Sequence, residues 1–302
     1  MTIGYYPGCT LHSTAKEYEL STMATLKMLG VEISEINDWN CCGAVEASSI
    51  NHLLALSLSA RNVVLAAKDY TTLTVPCPAC LSNLLRVGDE IGAHPEIKQK
   101  LEEIIKEKIP PVDRLQIKHP LDIIINDIGL DRVRQLLTKS PSGSPSLAGL
   151  KVAAYYGCLL TRPSRITRFD DPENPQLLDR LVTALGAESL KFPCKAKCCG
   201  GTLLMTNQEL TLQMTANILI SARDAGAQCI VTACPMCQMA LETLYAKVEV
   251  SSKVKFDLPV VYFTQLMGLA FGFSPKELGL DKNLVSAEKL IATVQRGEAN
   301  EQ

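Results

Sequence analysis

Short apolar runs alternate along the chain with longer segments in which apolar residues recur at helical spacing. The short runs are rich in residues that favour β-structure, and they predict strands at 3–6, 71–75, 151–156 and 229–233. The longer segments predict helices at 21–29, 48–68, 176–185 and 207–225. Gly30 and Gly186 follow two of these segments and are typical helix stops. Strands and helices that alternate at this spacing indicate an α/β fold with parallel sheets.

The two halves of the chain repeat one another. Ile-Gly-Tyr-Tyr-Pro-Gly-Cys at 3–9 resembles Val-Ala-Ala-Tyr-Tyr-Gly-Cys at 152–158, and the segments 119–125 and 258–263 also look equivalent. The second half is longer by eight residues between its first two cysteine motifs, and we place the additional residues in 161–175.

A linker separates the two predicted domains. Residues 138–149 are rich in Ser, Pro and Gly, which is typical of a connection between folded units. We therefore predict two tandem homologous domains, 1–137 and 150–302, related by pseudo-two-fold symmetry. Each would be a small parallel sheet with flanking helices, and a helical tail at 276–302 would end the second.

Composition narrows the class of protein. The 302 residues are 47% hydrophobic and 21% charged, which allows each of two domains to bury a core. The net charge of −2 offers no basic surface for nucleic acid. The longest apolar stretch, 263–273, is too short to cross a bilayer, and the first residues lack the pattern of a signal peptide. We therefore expect a cytoplasmic protein without a membrane span.

Ten of the twelve cysteines form one pattern that occurs twice. Each copy has a single cysteine, then an adjacent pair followed by glycine, then a Cys-x-x-Cys unit. The first copy consists of Cys9, Cys41, Cys42, Cys77 and Cys80, and the second of Cys158, Cys198, Cys199, Cys234 and Cys237. The step from the pair to the Cys-x-x-Cys unit, 42 to 77 and 199 to 234, is the same in both copies. Chance does not produce such a repeat, so the ten thiols indicate two equivalent metal centres.

Five thiols in each set favour an iron–sulfur centre. In a reducing compartment clustered thiols bind metal or take part in catalysis, and adjacent cysteines make strained disulfides. A structural zinc site closes at four ligands. Iron–sulfur clusters generally use four cysteines. Each half therefore holds either a four-cysteine cubane with a spare thiol or a larger non-cubane cluster that uses all five. The recurrence of all five positions favours the second arrangement.

The two remaining cysteines and the histidines do not recur at matching positions in the two halves. Cys194 and Cys229 have no counterpart in the other half and are predicted to be structural. His12, three residues after Cys9, is a candidate proton donor, and His52 is a second candidate for that role.

The cysteine motifs resemble the signature of the CCG domain, and the chain resembles the B subunit of heterodisulfide reductase over residues 1–275. Other stretches that resemble this family are Tyr-Tyr-Gly-Cys-Leu-Leu at 155–160, Phe-Asp-Asp-Pro-Glu-Asn-Pro at 169–175 and Tyr-Phe-Thr-Gln-Leu at 262–266. The resemblance implies that each half binds a non-cubane [4Fe-4S] cluster through its five cysteines. It also implies that a small disulfide is reduced to two thiols between the clusters. The partners would be a ferredoxin-like C subunit and a flavin-containing A subunit.

The segment 161–175 adds a candidate substrate contact. Arg162, Arg165 and Arg168 could bind the phosphate, sulfonate or carboxylate groups that thiol carriers often bear. Alternatively, they could form surface ion pairs with the acidic residues nearby.

The leading functional prediction is the catalytic subunit of a complex that reduces a disulfide or oxidises thiols. The first alternative is an electron-relay subunit of another dehydrogenase. The second is a sulfur-oxidising relative that acts on a sulfur carrier.

Overall fold

The chain folds into two parallel β-sheets, one in each half. A computed structural model describes residues 2–138 and 147–299. The strands are β1 (Thr2–Tyr5), β2 (Glu32–Glu35), β3 (Thr72–Thr74), β4 (Gln116–Lys118), β5 (Lys151–Tyr155), β6 (Glu188–Ser189), β7 (Cys229–Thr232) and β8 (Val260–Tyr262). Their spatial order is β2-β1-β3-β4 in the first sheet and β6-β5-β7-β8 in the second. Both sheets are entirely parallel, and the shared order is what a duplicated domain predicts.

Helices connect the strands in both halves. The first half contains α1 (Gly8–Leu11), α2 (Lys16–Met28), α3 (Glu46–Ile50), α4 (His52–Asp69), α5 (Pro78–Ala93), α6 (Pro95–Ile105), α7 (Pro120–Asp122) and α8 (Leu130–Leu137). The second half contains α9 (Ser164–Thr167), α10 (Leu177–Ala184), α11 (Gln208–Asp224), α12 (Pro235–Ser252), α13 (Phe263–Ala270) and α14 (Glu288–Ala299). Short 3₁₀ turns occur at Val112–Arg114, Gly201–Leu203 and Leu280–Lys282, and a π-helix at Ile123–Ile128. The predicted α/β class is confirmed. Among the described residues, no helix is both long and apolar enough to span a membrane.

The sequence analysis predicted none of the four edge strands β2, β4, β6 and β8. All residues of the inner strand β7 are buried, as are those of β8, because a parallel sheet covered by helices shields both of its faces. By contrast, β2 has the sequence Glu-Ile-Ser-Glu and is mostly exposed, and β6 has only two residues. Neither strand gives the apolar run by which the inner strands can be recognised.

The predicted helix 48–68 is in fact two helices. Asn51 takes an extended backbone, with φ −157° and ψ 123°, between α3 and α4. Its side chain accepts a hydrogen bond from the Leu54 N–H at 2.9 Å and so caps α4, a position that asparagine favours.

The predicted equivalence of 119–125 with 258–263 is wrong in register. Pro120 begins a helix, whereas Pro259 precedes a strand. The strand that corresponds to β8 is β4, which ends one residue before His119. His119 and Tyr262 are therefore the matching positions, since each is the cap of the helix that follows its strand.

The end of the chain is less helical than predicted. In the described part of 276–302 the helical segments are the 3₁₀ turn at Leu280–Lys282 and helix α14. Residues 139–146 of the predicted linker lie outside the described residues, and the domain boundaries at 137 and 150 stay predictions. The additional residues of the second half lie between Cys158 and α10 and include α9, which is the predicted place.

The two halves share one hydrophobic core. Helix α13 of the second half packs against α2 of the first, and every residue of α13 is buried. The ring of Tyr18 stacks on Tyr262 with centroids 4.0 Å apart. The hydroxyls of Ser21 and Thr264 form a buried hydrogen bond of 2.7 Å. The longest apolar run of the sequence is therefore the helix that joins the two halves.

Close packing of α13 predicts that it cannot accept a larger residue at Gly268. A Cβ at this position would overlap the buried side chain of Leu278, so Gly268→Ala should destabilise the fold by about 1–3 kcal/mol. Gly92 in α5 is the matched control, since a Cβ added there would meet nothing within 4 Å. There the same change should stabilise the protein, by up to about 1 kcal/mol, because alanine is the better helix former. Denaturant unfolding under anaerobic conditions measures both. Equal effects at the two sites would contradict the packing argument.

Candidate metal centre

The ends of the strands place all ten patterned cysteines at the carboxyl edges of the sheets. Cys9 and Cys158 follow β1 and β5 by a few residues. Cys77 and Cys234 follow β3 and β7 and are the N-caps of α5 and α12. The two adjacent pairs lie in the loops that follow the edge strands β2 and β6. Sites gather at this edge in parallel sheets because successive strands deliver their loops to the same side.

The Cys-x-x-Cys units lie at helix N-termini. Pro78 and Pro235 occupy the first turn of α5 and α12, where a missing N–H leaves no helical hydrogen bond unmade. The remaining N–H groups of this turn and the positive end of the helix dipole stabilise negative charge. Thiolates, the form in which cysteine binds metal, are therefore favoured here.

In the first half four thiols form a connected chain. The Sγ atoms of Cys42 and Cys80 lie 3.2 Å apart. Cys41 contacts Cys42, and Cys77 contacts Cys80. Cys9 is exposed at the side of this chain, near enough to Cys41 for its charge to act on it.

In the second half all five thiols are connected. The Sγ atoms of Cys199 and Cys237 lie 3.6 Å apart, and Cys234 contacts Cys237. Cys198 contacts both Cys158 and Cys199. The structure therefore brings together the five cysteines that the repeat singled out.

Backbone amides point at the thiols of both adjacent pairs. The N–H of Gly43 donates to Cys41 Sγ at 3.4 Å, and the N–H of Gly200 donates to Cys198 Sγ at 3.3 Å. The Cys158 thiol, the Cys199 thiol and this amide of Gly200 lower the pKa of Cys198. In the first half, contacts with Cys41 and then Cys80 lower the pKa of Cys42. Each set thus contains a cysteine at which the thiolate, the form that binds metal, is favoured.

Other thiols in the sets hold their protons more tightly. Contact with Cys42, then with Cys77, raises the pKa of Cys80, and burial adds to the effect. The pKa of Cys237 is raised in the same way by Cys199 and Cys234. Several thiolates crowded together repel one another unless a cation lies between them, so the arrangement favours binding of a metal.

Glycine precedes the first cysteine of each set for a steric reason. Gly8 and Gly157 have left-handed backbones, with φ +67° and +69°. A Cβ would lie 3.1 Å from Cys80 Sγ at Gly8 and 2.7 Å from Cys237 Sγ at Gly157. Both glycines let the backbone pass closely over the last cysteine of its set. The repeated Gly-Cys pair was visible in the sequence, but its role was not.

Asn83 is a second residue that sequence reasoning missed. Its side-chain amide donates to Ala44 O at 2.7 Å and lies 3.7 Å from Cys42 Sγ, so it supports the loop that carries the first pair. No asparagine recurs at the corresponding place in the second half, and the repeat therefore gave no signal for it.

The donor chemistry of both sets fits an iron–sulfur cluster. Each set supplies at least the four thiols that such a cluster requires, together with the amide donors that commonly surround its sulfurs. Within 2–138 and 147–299, no three His, Cys, Asp or Glu side chains converge as ligands of a single metal ion.

An apolar cavity of about 210 Å³ opens onto the second set. Its walls include Val45 and Pro78 from the first half, and Leu159 and Met236 from the second. All five cysteines of the second set line it. A larger groove of about 960 Å³ lies between α8 and α10, but none of the ten patterned cysteines is among its lining residues. We base the functional argument on the smaller cavity because it is the one next to the thiols.

The three arginines of 161–175 do not line this cavity. Arg162 donates to Ala196 O at 3.0 Å and pairs with Glu173 at 3.1 Å, which ties the segment to the backbone before Cys198. Arg165 reaches Asp89 of the first half at 3.0 Å. Arg168 donates through Nε to the carbonyl of Arg165. Their predicted contact with substrate stays a prediction.

The two candidate proton donors form no hydrogen bond with a patterned thiol among the interactions that the structure describes. His12 lies 3.3 Å from Glu35 and 3.5 Å from Glu19. His52 lies 3.7 Å from Glu90. Their catalytic role also stays a prediction.

The two unpatterned cysteines lie apart from the thiol chains. Cys194 approaches the carbonyl of Asn217 at 3.7 Å. Cys229 is fully buried in β7, and burial raises the pKa of its thiol to about 12.

Two segments of the chain, residues 3–85 and 152–242, match the model of the CCG cysteine-rich domain. Together they cover more than half of the protein, and each contains one complete set of five cysteines.

The chain belongs to the CCG cysteine-rich domain family.

Named proteins are similar to this chain over nearly its whole length. The 8-methylmenaquinol:fumarate reductase membrane anchor subunit of Wolinella succinogenes is 34% identical over 95% of this chain and 98% of its own length. Two proteins named as the B subunit of CoB-CoM heterodisulfide reductase are 28% identical over 97% of this chain and 96% of theirs. They come from Methanosarcina acetivorans, where the name adds dependence on ferredoxin or F(420)H(2), and from Methanosarcina mazei, where it adds ferredoxin.

A solved structure supports the fold. A hypothetical protein from Helicobacter pylori matches 94% of this chain with a TM-score of 0.69 and 16% identity. This chain spans 52% of the length of that protein. At this identity the likeness concerns the fold alone.

The steric role of Gly157 predicts a selective effect on the second set. Gly157→Ala should weaken metal binding at the second set of cysteines and leave the first set unaffected, because the new methyl group meets Cys237 Sγ. Gly186→Ala is the matched control, since Gly186 has a similar φ of +92° but a Cβ added there would meet nothing within 4 Å. Both variants should lose about 1–2 kcal/mol of stability from backbone strain. Iron and sulfide analysis of anaerobically purified protein distinguishes them, and equal iron contents would overturn the steric explanation.

Proposed function

We propose that this protein is the catalytic iron–sulfur subunit of a complex of the heterodisulfide reductase type. Membership of the CCG family and similarity to proteins named as the B subunit of heterodisulfide reductase support an iron–sulfur redox subunit. The observation that carries the proposal is the cavity that exposes five grouped thiols of one half beneath apolar residues of the other. A structural metal site needs no such opening.

Cys9, Cys41, Cys42, Cys77 and Cys80 would hold one [4Fe-4S] cluster, and Cys158, Cys198, Cys199, Cys234 and Cys237 the other. When bound, such clusters transfer electrons one at a time, so two of them supply the pair that opening a disulfide requires. The use of all five thiols in each set, and hence a non-cubane cluster, is part of the proposal.

The protein residues around the cavity select and position the substrate. The side chains of Val45, Pro78, Leu159 and Met236 bury apolar surface and exclude water from the sulfur atoms. Apart from the thiols, the lining residues carry no ionisable group except the buried hydroxyl of Tyr156. The cavity therefore suits the uncharged alkyl carbons next to a disulfide, and any charged end of the carrier would remain outside.

Partners would bring electrons to the first set. Cys9 and Cys41 are both exposed, whereas four of the five thiols in the second set are buried or half-buried. Electron transfer favours a short path to a partner, so we assign the contact with a ferredoxin-like C subunit to the first half. A flavin-containing A subunit completes the proposed complex.

A second candidate is an electron-relay subunit that meets no small substrate. The 34% identity to a fumarate reductase subunit favours it, because the complex named for that relative reduces fumarate. An open cavity at the thiols argues against a pure relay.

Removal of the second pair of cysteines tests the catalytic proposal. The double variant Cys198→Ala with Cys199→Ala should abolish disulfide reduction while the electron paramagnetic resonance (EPR) signal of the first cluster remains. Cys194→Ala is the matched control, because this cysteine lies on the same loop but bonds to a backbone carbonyl, and it should retain both clusters and full turnover. Turnover that survives the double change would refute the need for two clusters.

Thiol binding separates the catalytic function from the relay. Propanethiol should alter the EPR spectrum of the second cluster because it fits the apolar cavity, and the dianionic mercaptosuccinate should alter it less. Val45→Trp should block the effect without loss of iron, since Val45 lines the cavity and is partly exposed. A spectrum that no thiol changes would favour the relay function.

A further inference from the structure

One imidazole joins the backbones that carry the two Cys-x-x-Cys units. His119 Nε2 lies 2.8 Å from Pro76 O and 3.1 Å from Ala233 O. Pro76 immediately precedes Cys77, and Ala233 immediately precedes Cys234. A single side chain therefore contacts the same point of the metal-binding loop in both halves.

The contacts determine which nitrogen carries the proton. Nδ1 accepts a hydrogen bond from the Leu121 N–H at 3.1 Å, so it must be unprotonated. The two carbonyl oxygens can only accept, so Nε2 must carry the hydrogen and share it between them. The neutral Nε2–H form thus satisfies every contact at once, whereas a second proton on Nδ1 would face an amide donor.

The surroundings of His119 hold it in this position. Its ring is 1% exposed and lies 5.9 Å from the ring of Phe263. The hydroxyl of Tyr18 lies 3.3 Å from both Nε2 and Ala233 O, and the ring of Tyr18 stacks on Tyr262. Tyr262 is the cap that corresponds to His119 in the second half. Residues from both halves therefore meet at this one donor.

We propose that His119 is a positioning residue that holds the two Cys-x-x-Cys loops at a fixed separation and orientation. It takes no part in binding metal or substrate. The two five-cysteine sets sit on separate sheets, and the shared Nε2–H is a direct polar link between their loops. The consequence for function rests on the proposed iron–sulfur sites, whereas the link itself does not.

Two substitutions separate the link from the helix cap. In His119→Asn the side-chain oxygen can still accept from Leu121 N–H, but no donor reaches the carbonyls. In His119→Gln the longer side chain can carry an N–H to the position of Nε2. A role in capping alone would be preserved by asparagine, so rescue by glutamine identifies the link.

Spectroscopy and turnover of the intact protein provide the first readout. With both clusters reduced, the magnetic interaction between them should change in His119→Asn and return in His119→Gln. Disulfide reduction should fall by about 10–100-fold in the asparagine variant at unchanged iron content, because small displacements in a reactive site are costly. Normal coupling and turnover in His119→Asn would overturn the proposal.

Stability as a function of pH provides a readout that needs no cluster. Burial lowers the pKa of His119 to about 4 from its ordinary value of 6.5, although the two carbonyls oppose the shift. Tyr18 is the ionisable side chain that faces it from α2, and the other elements packed against it present carbonyls or the Phe263 ring. Below pH 6.5 the unfolded chain takes up a proton that the folded protein refuses until about pH 4. Stability should therefore fall as the pH drops through this window.

The expected loss reaches a factor of about 300 in the unfolding equilibrium, from the difference between the two pKa values. The wild type should show this loss relative to His119→Gln, which has no imidazole to protonate. Parallel pH profiles would mean that His119 is not buried in its neutral form, and the proposal would fail because the Nε2–H link requires that form.

A milder variant keeps the proposal testable if His119→Asn does not fold. Tyr18→Phe removes one hydroxyl from the same junction and keeps the stack on Tyr262, so it should change the cluster interaction in the same direction as His119→Asn but less. No change in Tyr18→Phe, combined with a misfolded His119→Asn, would refute the positioning role. If the wild type held no iron–sulfur cluster, the proposed function would fail, and the pH profiles would still test whether His119 is the buried neutral donor that the link requires.

Discussion

Crowding of thiols is the constraint on which the rest of this structure depends. Sulfur atoms of different motifs approach to 3.2 Å in one half and 3.6 Å in the other, and thiolates at such distances repel. The fold offsets this repulsion with amide donors, helix N-termini and glycines that leave room for the sulfur atoms. Parallel strands make the arrangement possible, because their carboxyl ends bring distant parts of the chain to one edge.

The two thiol sets are held together by packing between the two halves of the chain. A duplicated domain could have remained two independent units, but α13 is buried against α2 and the hydrophobic core continues across both halves. The cavity at the second set is completed by residues of the first. Each half therefore depends on the other for its packing, and the second set depends on the first half for the shape of its cavity.

Repetition made much of this protein predictable. The spacing of the cysteines indicated the duplicated α/β fold and separated ten thiols, which the structure brings together in two sets, from Cys194 and Cys229. The inner strands β1, β3, β5 and β7 could be predicted because burial requires apolar runs, whereas β2, β4 and β6 are short or polar and β8 has only three residues. The break between α3 and α4 at Asn51 was not predicted, because apolar residues continue at helical spacing on both sides of it.

Two residues that the sequence did not reveal occur in one half only. Asn83 and His119 have no repeated partner of the same kind, and their importance comes from contacts across long stretches of chain. The arginines of 161–175 show the opposite problem. Their charge suggested a ligand or ion pairs with nearby acidic residues. Arg162 does pair with Glu173, but the pair of Arg165 with Asp89 of the other half could not be read from spacing along the chain.

The segment between Cys158 and α10 makes the two copies unequal. It ties the second half to Asp89 and to the loop before Cys198, and the first half has no such segment between Cys9 and α2. Cys9 and Cys41 of the first set are exposed, whereas in the second set only Cys198 is. Water and protein dipoles set the reduction potential of an iron–sulfur centre. The two proposed clusters would thus differ in reduction potential even though they are built on the same motif. Electrons would then move preferentially from one cluster to the other, which two identical halves would not favour.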